Sequence, residues 1–329
     1  MRLMATLLLI LVTGGLVLFG WTRVGVAKIE ERHPPVGAFA GPQGERTHYL
    51  DVPQGSGVLE YPPAGGDPLP PMLVLHGASA NLLDQVHAHA PTLAGRGRLV
   101  FVDRPGHGWS DRGDAETPLA QAARYVALMD EIGLERAIVV CHSLGCASAA
   151  ALAVEYRERV AGLVFLAPAT HPWPGGVTWY YELASMPVVA DLFANTLVYP
   201  VGQASLEAGS ARVFAPDEPP ANYARKAAIP LFLRPQTFRA NARDVKGLNR
   251  FVRAFQPRYE EITAPTVIVT GDTDSVVAPS IHSVGLERDI EGARLVVLRD
   301  TGHKPDHAAR EAVVRAIEEV AARATAPNG

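Results

Sequence analysis

Three kinds of stretch alternate along the hydrophobic and polar pattern of this chain. The first runs from Leu3 to Trp21 and carries no charge between Arg2 and Arg23. As a helix rising about 1.5 Å per residue, these roughly 19 residues nearly match the hydrocarbon thickness of a bilayer. The second kind is the short, nearly continuous apolar run: Met72 to Leu75, Arg98 to Val102, Ala137 to Val140, Gly162 to Leu166, Thr266 to Thr270 and Arg294 to Leu298. Such runs predict strands whose two faces are both covered by helices. Helical patterns such as Leu119 to Ile132 and Ser148 to Tyr156 lie between them. The alternation predicts an α/β fold with a mostly parallel central sheet and helices on both faces. The third kind, 168–262, has no strand of this type but holds Trp173, Trp179, Tyr180, Tyr181, Phe193 and further aromatics among prolines. It is too long for a loop and predicts a helical cap inserted between the sixth and seventh strands.

At the N-terminal side, Thr47 to Val52 and Val58 to Tyr61 read as two short strands forming an edge hairpin. The organisation expected is a transmembrane anchor (1–24), a Pro/Gly-rich linker (25–45), a first part of the core (46–167), the cap (168–262) and a second part of the core (263–329). A cleaved signal peptide has an apolar core of roughly 7 to 15 residues, shorter than this run, so an uncleaved single-pass anchor is expected. Arg2 flanks one side and Arg23, Lys28 and Arg32 the other. Counting positive residues keeps the remainder cytoplasmic, whereas an ordinary N-terminal signal anchor places it outside, and the sequence leaves the side open.

A net charge of -4 excludes the basic footprint of a nucleic-acid binder, and 48% hydrophobic residues exclude a disordered chain. Two cysteines, Cys141 and Cys146, cannot make a disulfide framework or a Cys-rich zinc site, and they read as small buried side chains. The chain has no Walker-type or dinucleotide glycine loop and no His-Glu-x-x-His pattern. Neither a cofactor nor a metal is expected. Oligomeric state is not legible.

The candidate chemistry begins at Ala137-Ile-Val-Val-Cys141-His142-Ser143-Leu144-Gly145, which runs into the small-residue stretch Cys146 to Leu152. A strand, a sharp turn carrying one serine and a helix together mount a nucleophile at a sheet edge, with the helix N-terminus aimed at any oxyanion formed there. Cys141 stands where Gly-x-Ser-x-Gly has its first glycine, a position that demands a small residue. A serine hydroxyl needs a histidine to take its proton and a carboxylate to orient that histidine. Both follow in order: Asp274 within Gly271-Asp-Thr-Asp274-Ser-Val-Val-Ala-Pro279, and His303 within Asp300-Thr-Gly-His303-Lys-Pro305.

With nucleophile, acid and histidine in that order after successive strands, the chain from about Thr47 to its end resembles an α/β-hydrolase. The resemblance implies Ser143 as nucleophile, Asp274 rather than Asp272 as the acid, and His303 as the base. It implies an oxyanion hole from the backbone N–H groups of Ala78 and Leu144, with His76, Gly77 and Gly145 in support. His76 is read as holding its loop, His142 as packing beside the site and His307 as an outer helical residue. Asp103-Arg-Pro-Gly106-His-Gly108-Trp-Ser110 matches another loop signature of the family. The implied function is a membrane-anchored serine hydrolase acting on an ester of an apolar, small-molecule acyl substrate. The same triad also serves amide or carbon–carbon bond hydrolysis and perhydrolysis, and a decayed membrane-tethered binding protein is the rival of another class.

Overall fold

The apolar runs become strands of one sheet, five of them in its interior, while Arg294 to Leu298, expected to be covered on both faces, forms a partly exposed edge because among the described residues no strand pairs beyond it. The computed structural model describes residues 2–186 and 189–325. Its strands are β1 (Ala38–Ala40), β2 (Thr47–Val52), β3 (Met72–Leu75), β4 (Leu99–Val102), β5 (Ala137–His142), β6 (Val160–Leu166), β7 (Thr266–Gly271) and β8 (Arg294–Leu298). They lie in the order β1-β2-β4-β3-β5-β6-β7-β8, with the β1–β2 and β2–β4 pairs antiparallel and the other pairs parallel. Successive side chains alternate between faces, so β3 sends Leu73 and Leu75 into one core and Met72 and Val74 into the other. The first core is closed by α3 (Pro118–Glu131), α4 (Gly145–Glu155) and α10 (Pro279–Asp289). The second is closed by α2 (Leu82–Leu93) and α12 (Arg310–Thr325), the latter preceded by the single turn α11 (Pro305–Ala308).

Two local expectations change. The edge hairpin is built from β1 and β2, while Val58 and Tyr61 meet only in an isolated bridge. The cause lies in β2, which pairs with β4 on one side and with β1 on the other, leaving Val58 to Tyr61 no free edge. The stretch expected as a linker is largely ordered structure. Helix α1 (Arg2–Arg32) continues past the apolar run, and β1 follows six residues later.

The cap lies between β6 and β7, as the pattern predicts, and consists of α5 (Trp179–Leu183), α6 (Val189–Thr196), α7 (Val198–Phe214), α8 (Tyr223–Lys226) and α9 (Pro235–Phe255). Phe238 of α9 is the hub of its core, with Tyr181, Phe193 and Phe232 rings at 6.1, 6.0 and 5.2 Å. Helix α1 joins this core. Thr22, Gly25 and Ile29 recur at helical spacing and are buried, Ile29 among Val198, Leu233 and Phe238. Among the described residues α1 is the one helix long and apolar enough to cross a membrane, and none of its apolar window is buried.

Candidate functional site

Registry brings the site together. Leu75 at the end of β3 pairs with Cys141 near the end of β5, so the loop after β3 lies against the turn after β5. At that turn Ser143 is forced to a φ of 52°, a left-handed conformation that non-glycine residues rarely adopt. The turn closes because Gly145 and Gly77 have no side chains. A Cβ at Gly145 would run into the His76 carbonyl, and one at Gly77 would meet the His142 ring at 2.8 Å.

His303 lies in the loop after β8, with Nε2 2.9 Å from Ser143 Oγ and Nδ1 2.7 Å from Asp274 Oδ2. The other oxygen of Asp274 accepts the N–H groups of Val276 and Val277 at 2.8 and 2.9 Å. Burial opposes ionisation of Asp274, but the His303 contact and these two amides outweigh it and hold the carboxyl below its ordinary value. Ser143, Asp274 and His303 are 6%, 7% and 4% exposed, so the three lie beneath the cap rather than in an open cleft. Among the described residues, the amides of Ala78 and Leu144 donate to no protein acceptor. Ala78, Leu144, Ala147, Val245, Leu248 and Val252 form an apolar cluster over the turn.

The supporting histidines hold loops. His76 is fully buried; its Nε2 accepts the Arg104 amide at 2.9 Å and its Nδ1 donates to the Gly77 carbonyl at 2.8 Å. His142 Nε2 donates to the carbonyl of His303 at 2.8 Å, and burial pushes its ring down to about 3, so it stays neutral. In the loop after β4, buried Asp103 takes His48 Nδ1 at 2.6 Å and the Leu82 and Trp109 amides at 2.7 and 2.8 Å. Asp272 contributes its backbone N–H to the Leu298 carbonyl.

Two features depart from the sequence expectations. Cys141 and Cys146, read from the sequence as separate small side chains, are joined in a disulfide across the serine turn. The turn itself brings their Cα atoms to 5.1 Å, within disulfide range, which five residues of separation do not reveal. His307, expected on an outer helical face, is buried at 3.1 Å from Asp84. It belongs to a polar cluster behind the site in which Lys304 Nζ lies 2.8 Å from Asp84 and 3.0 Å from Asp306. Gln85 Nε2 bridges the two carboxylates, and Tyr223 of the cap donates to Asp84 at 2.7 Å. Asp84, Asp306 and His307 converge closely enough to ligate a metal ion, but the Lys304 ammonium already sits between the carboxylates and offsets one of their two charges. The one sequence signal for this cluster is the polar run His303-Lys-Pro-Asp-His307.

Comparison with known proteins settles the family. A family model described as alpha/beta hydrolase fold matches residues 70–305. The chain belongs to that family. A 2-hydroxymuconate semialdehyde hydrolase of Pseudomonas putida is 26% identical over 320 residues, covering 90% of this chain and 98% of that protein. The dihydrolipoyllysine-residue acetyltransferase component of the acetoin cleaving system of Cupriavidus necator is 42% identical over 98 residues. That match takes in 30% of this chain and spans only 26% of the relative's length. Among solved structures, the enol-lactonase from Burkholderia xenovorans LB400 superimposes with a TM-score of 0.65 at 19% identity, over 86% of this chain and 99% of that one. At that identity the likeness concerns the fold.

Proposed function

We propose that this chain is a membrane-anchored serine hydrolase that cleaves a carboxylic ester through an acyl-enzyme. The observation that carries the reading is the unbroken hydrogen-bonded line from Ser143 Oγ through both nitrogens of His303 to Asp274. Ser143 Oγ attacks the ester carbonyl carbon while His303 Nε2 takes its proton, and His303 then gives that proton to the departing alcohol. Asp274 holds the imidazole in the tautomer that leaves Nε2 free to accept, and it balances the imidazolium that forms. The Ala78 and Leu144 amides donate to the oxyanion. A water molecule, deprotonated by the same histidine, then releases the acid and regenerates Ser143.

An apolar acyl group fits the apolar cluster above Ser143. Arg104 and Arg112 lie 2.9 and 2.7 Å from the two oxygens of Asp244, so both guanidiniums share one carboxylate within the protein. A second reading, hydrolysis of a carbon–carbon bond on the same triad, draws support from the relative named a 2-hydroxymuconate semialdehyde hydrolase. A panel of esters against dienoate ketones separates the two. The anchor reading rests on the apolar window of α1 and its uncovered surface. The Cys141–Cys146 bridge suits an oxidising compartment, so we place the hydrolase domain outside the cytoplasm.

The test is covalent labelling by a fluorophosphonate. Parent protein is expected to label, Ser143→Ala to lose labelling while keeping its circular dichroism, and pre-incubation with a good ester to slow labelling. Folded parent that does not label, or a Ser143→Ala variant that labels equally, would sink the proposal.

A further inference from the structure

Helix α1 does more than precede the cap: it is packed into it at one particular height. Leu18 is half-buried, and Thr22, Gly25 and Ile29 are buried, a stripe spaced four, three and four residues apart. Thr22 Oγ1 donates to the carbonyl of Thr196 at the junction of α6 and α7. The Tyr199 ring of α7 occupies the space that the missing side chain of Gly25 leaves. One turn later Glu30 pairs with Arg234 at 3.3 Å, and the His33 carbonyl accepts from Trp109 Nε1 at 3.0 Å. The apolar run ends at Trp21 and charge begins at Arg23. The α6–α7 junction therefore meets α1 at the level where a spanning helix leaves the hydrocarbon.

The cap surface at that level is apolar. Leu192 of α6, Leu197 at the junction and Val201 of α7 are 66%, 41% and 61% exposed, and Trp179 of α5 is 66% exposed. Beyond Val201 the exposed positions of α7 are small or polar, among them Gln203, Ala204, Ser205, Glu207 and Ala208, so the large exposed apolar side chains are confined to the end of the helix nearest α1. A contiguous exposed patch of this kind marks an interaction surface. Its continuity with the exposed Trp21 and Val17 of α1 says which. First contact at Leu18 is three residues inside the run, about 4.5 Å, close to the depth of about 5–10 Å at which interfacial helices lie.

An aromatic line leads inward from this patch. Trp179 packs against Tyr180 and Phe193 at 5.8 and 6.5 Å, Tyr180 against Tyr181 at 4.5 Å, and the Tyr181 hydroxyl lies 3.2 Å from Ser79 Oγ, beside the Ala78 amide. We propose that the face made by Trp179, Leu192, Leu197 and Val201 is seated in the interfacial layer of the bilayer that α1 crosses, and that the site draws apolar esters from that leaflet beneath α5. The proposal rests on the reading of α1 as an anchor and of Ser143 as an ester hydrolase's nucleophile.

Full-length protein in phosphatidylcholine vesicles tests it, with a single environment-sensitive fluorophore on Leu9→Cys, Leu192→Cys or Glu311→Cys and brominated lipid as quencher. Leu9 reports the anchor itself, and Glu311, with a 91% exposed side chain on α12, reports the water side. Quenching at Leu9 and Leu192 but not Glu311 supports docking. Quenching at Leu9 alone overturns docking while the anchor stands, and no quenching at Leu9 overturns both. In the same vesicles Leu192→Glu with Val201→Glu is expected to cut turnover of a membrane-dissolved long-chain ester roughly tenfold or more, from the loss of two lipid-buried aliphatic side chains. Hydrolysis of a water-soluble acetate ester is expected to stay unchanged. Equal loss on both esters, or loss on neither, overturns entry from the leaflet. A parent inactive on both overturns the ester reading, and with it entry from the leaflet, while the quenching still decides docking.

Discussion

Replacing Lys304 with methionine keeps the aliphatic stem of a 3% exposed side chain and removes its ammonium. Asp84 and Asp306, both fully buried, then lose a partner at 2.8 and 3.0 Å and face each other without a balancing cation. Removing one partner of a buried ion pair costs about 3–5 kcal/mol, a large share of the 5–15 kcal/mol that holds a typical domain folded. The pH dependence gives the test its sign. In the parent, burial opposes ionisation of both carboxyls, but the Lys304 charge outweighs it and holds both below the ordinary range. In the variant the Gln85, Tyr223 and His307 contacts remain, but without the ammonium burial outweighs them and raises the carboxyls. A tenfold change in proton affinity is worth about 1.4 kcal/mol, so the penalty corresponds to protons bound roughly 10²- to 10⁴-fold more tightly, shared by the pair. That penalty applies wherever the unfolded carboxyls are ionised, above about pH 4, and disappears below it as folded and unfolded chains both hold the proton. Urea unfolding of parent and variant from pH 7 to pH 4.5 is therefore expected to show a gap of about 3–5 kcal/mol that shrinks on acidification. Asp84→Asn added to Lys304→Met is expected to recover about 1 kcal/mol or more at pH 7. A gap under about 1 kcal/mol at pH 7, or one that widens in acid, refutes the account.

Asp274→Asn is expected to leave folding intact, because its side chain can still accept the Val276 and Val277 amides, while lowering kcat by about 10⁴ through the wrong imidazole tautomer; stopped-assay kinetics on the best ester check this. Burial pushes His142 to about 3 and His89 and His282 to about 4, so the unfolded chain protonates first and each ring withdraws up to about 1.4 kcal/mol of stability per pH unit as pH falls below about 6.5. Chemical unfolding between pH 7 and pH 4.5 should show that slope, and a flat profile contradicts it. Without reductant, Cys141 and Cys146 should both resist alkylation in the unfolded chain and appear in one cross-linked peptide by mass spectrometry. Removing 1–21 is expected to leave the hydrolase domain nearly as stable as the parent, whereas removing 1–32 deletes buried Ile29 and strands Arg234, costing about 2–5 kcal/mol in thermal or urea unfolding.

The part of the molecule legible in the sequence is the part whose physics is local. A strand buried on both faces must be apolar at every position, and Met72 to Leu75 has the bounds that the pattern predicts; Arg294 to Leu298 has them too, but it forms the partly exposed edge of the sheet rather than a strand covered on both faces. The left-handed turn at Ser143 and the close approach at Gly145 demand particular residue types at fixed spacing, so the turn announces itself. Asp274 and His303 are legible for the same reason, each through the strand end before it. Val58 to Tyr61 has the composition of a strand, yet strand pairing depends on which edge is free, and β1 holds that edge. The Cys141–Cys146 bridge and the Lys304 cluster depend on distances between residues that the chain order does not encode, 220 positions apart for Lys304 and Asp84.

The boundary between the apolar run and the hydrolase fold is the case where composition misleads most. Charges at Arg23, Lys28, Glu30 and Arg32 end the apolar pattern, and the prolines that follow read as a spacer. Helical spacing within that charged stretch nonetheless keeps Thr22, Gly25 and Ile29 on one side, while Arg23 and Lys28 point to solvent. Thr22, read from the sequence as the end of the anchor, and Gly25 and Ile29, read as the start of a linker, pack against the cap core around Phe238, whose ring neighbour Tyr181 reaches Ser79 beside the proposed oxyanion amide. Helix α1 is thus a structural part of the roof over Ser143. Any force that shifts or tilts α1 acts on the cap through packed side chains rather than through a flexible tether.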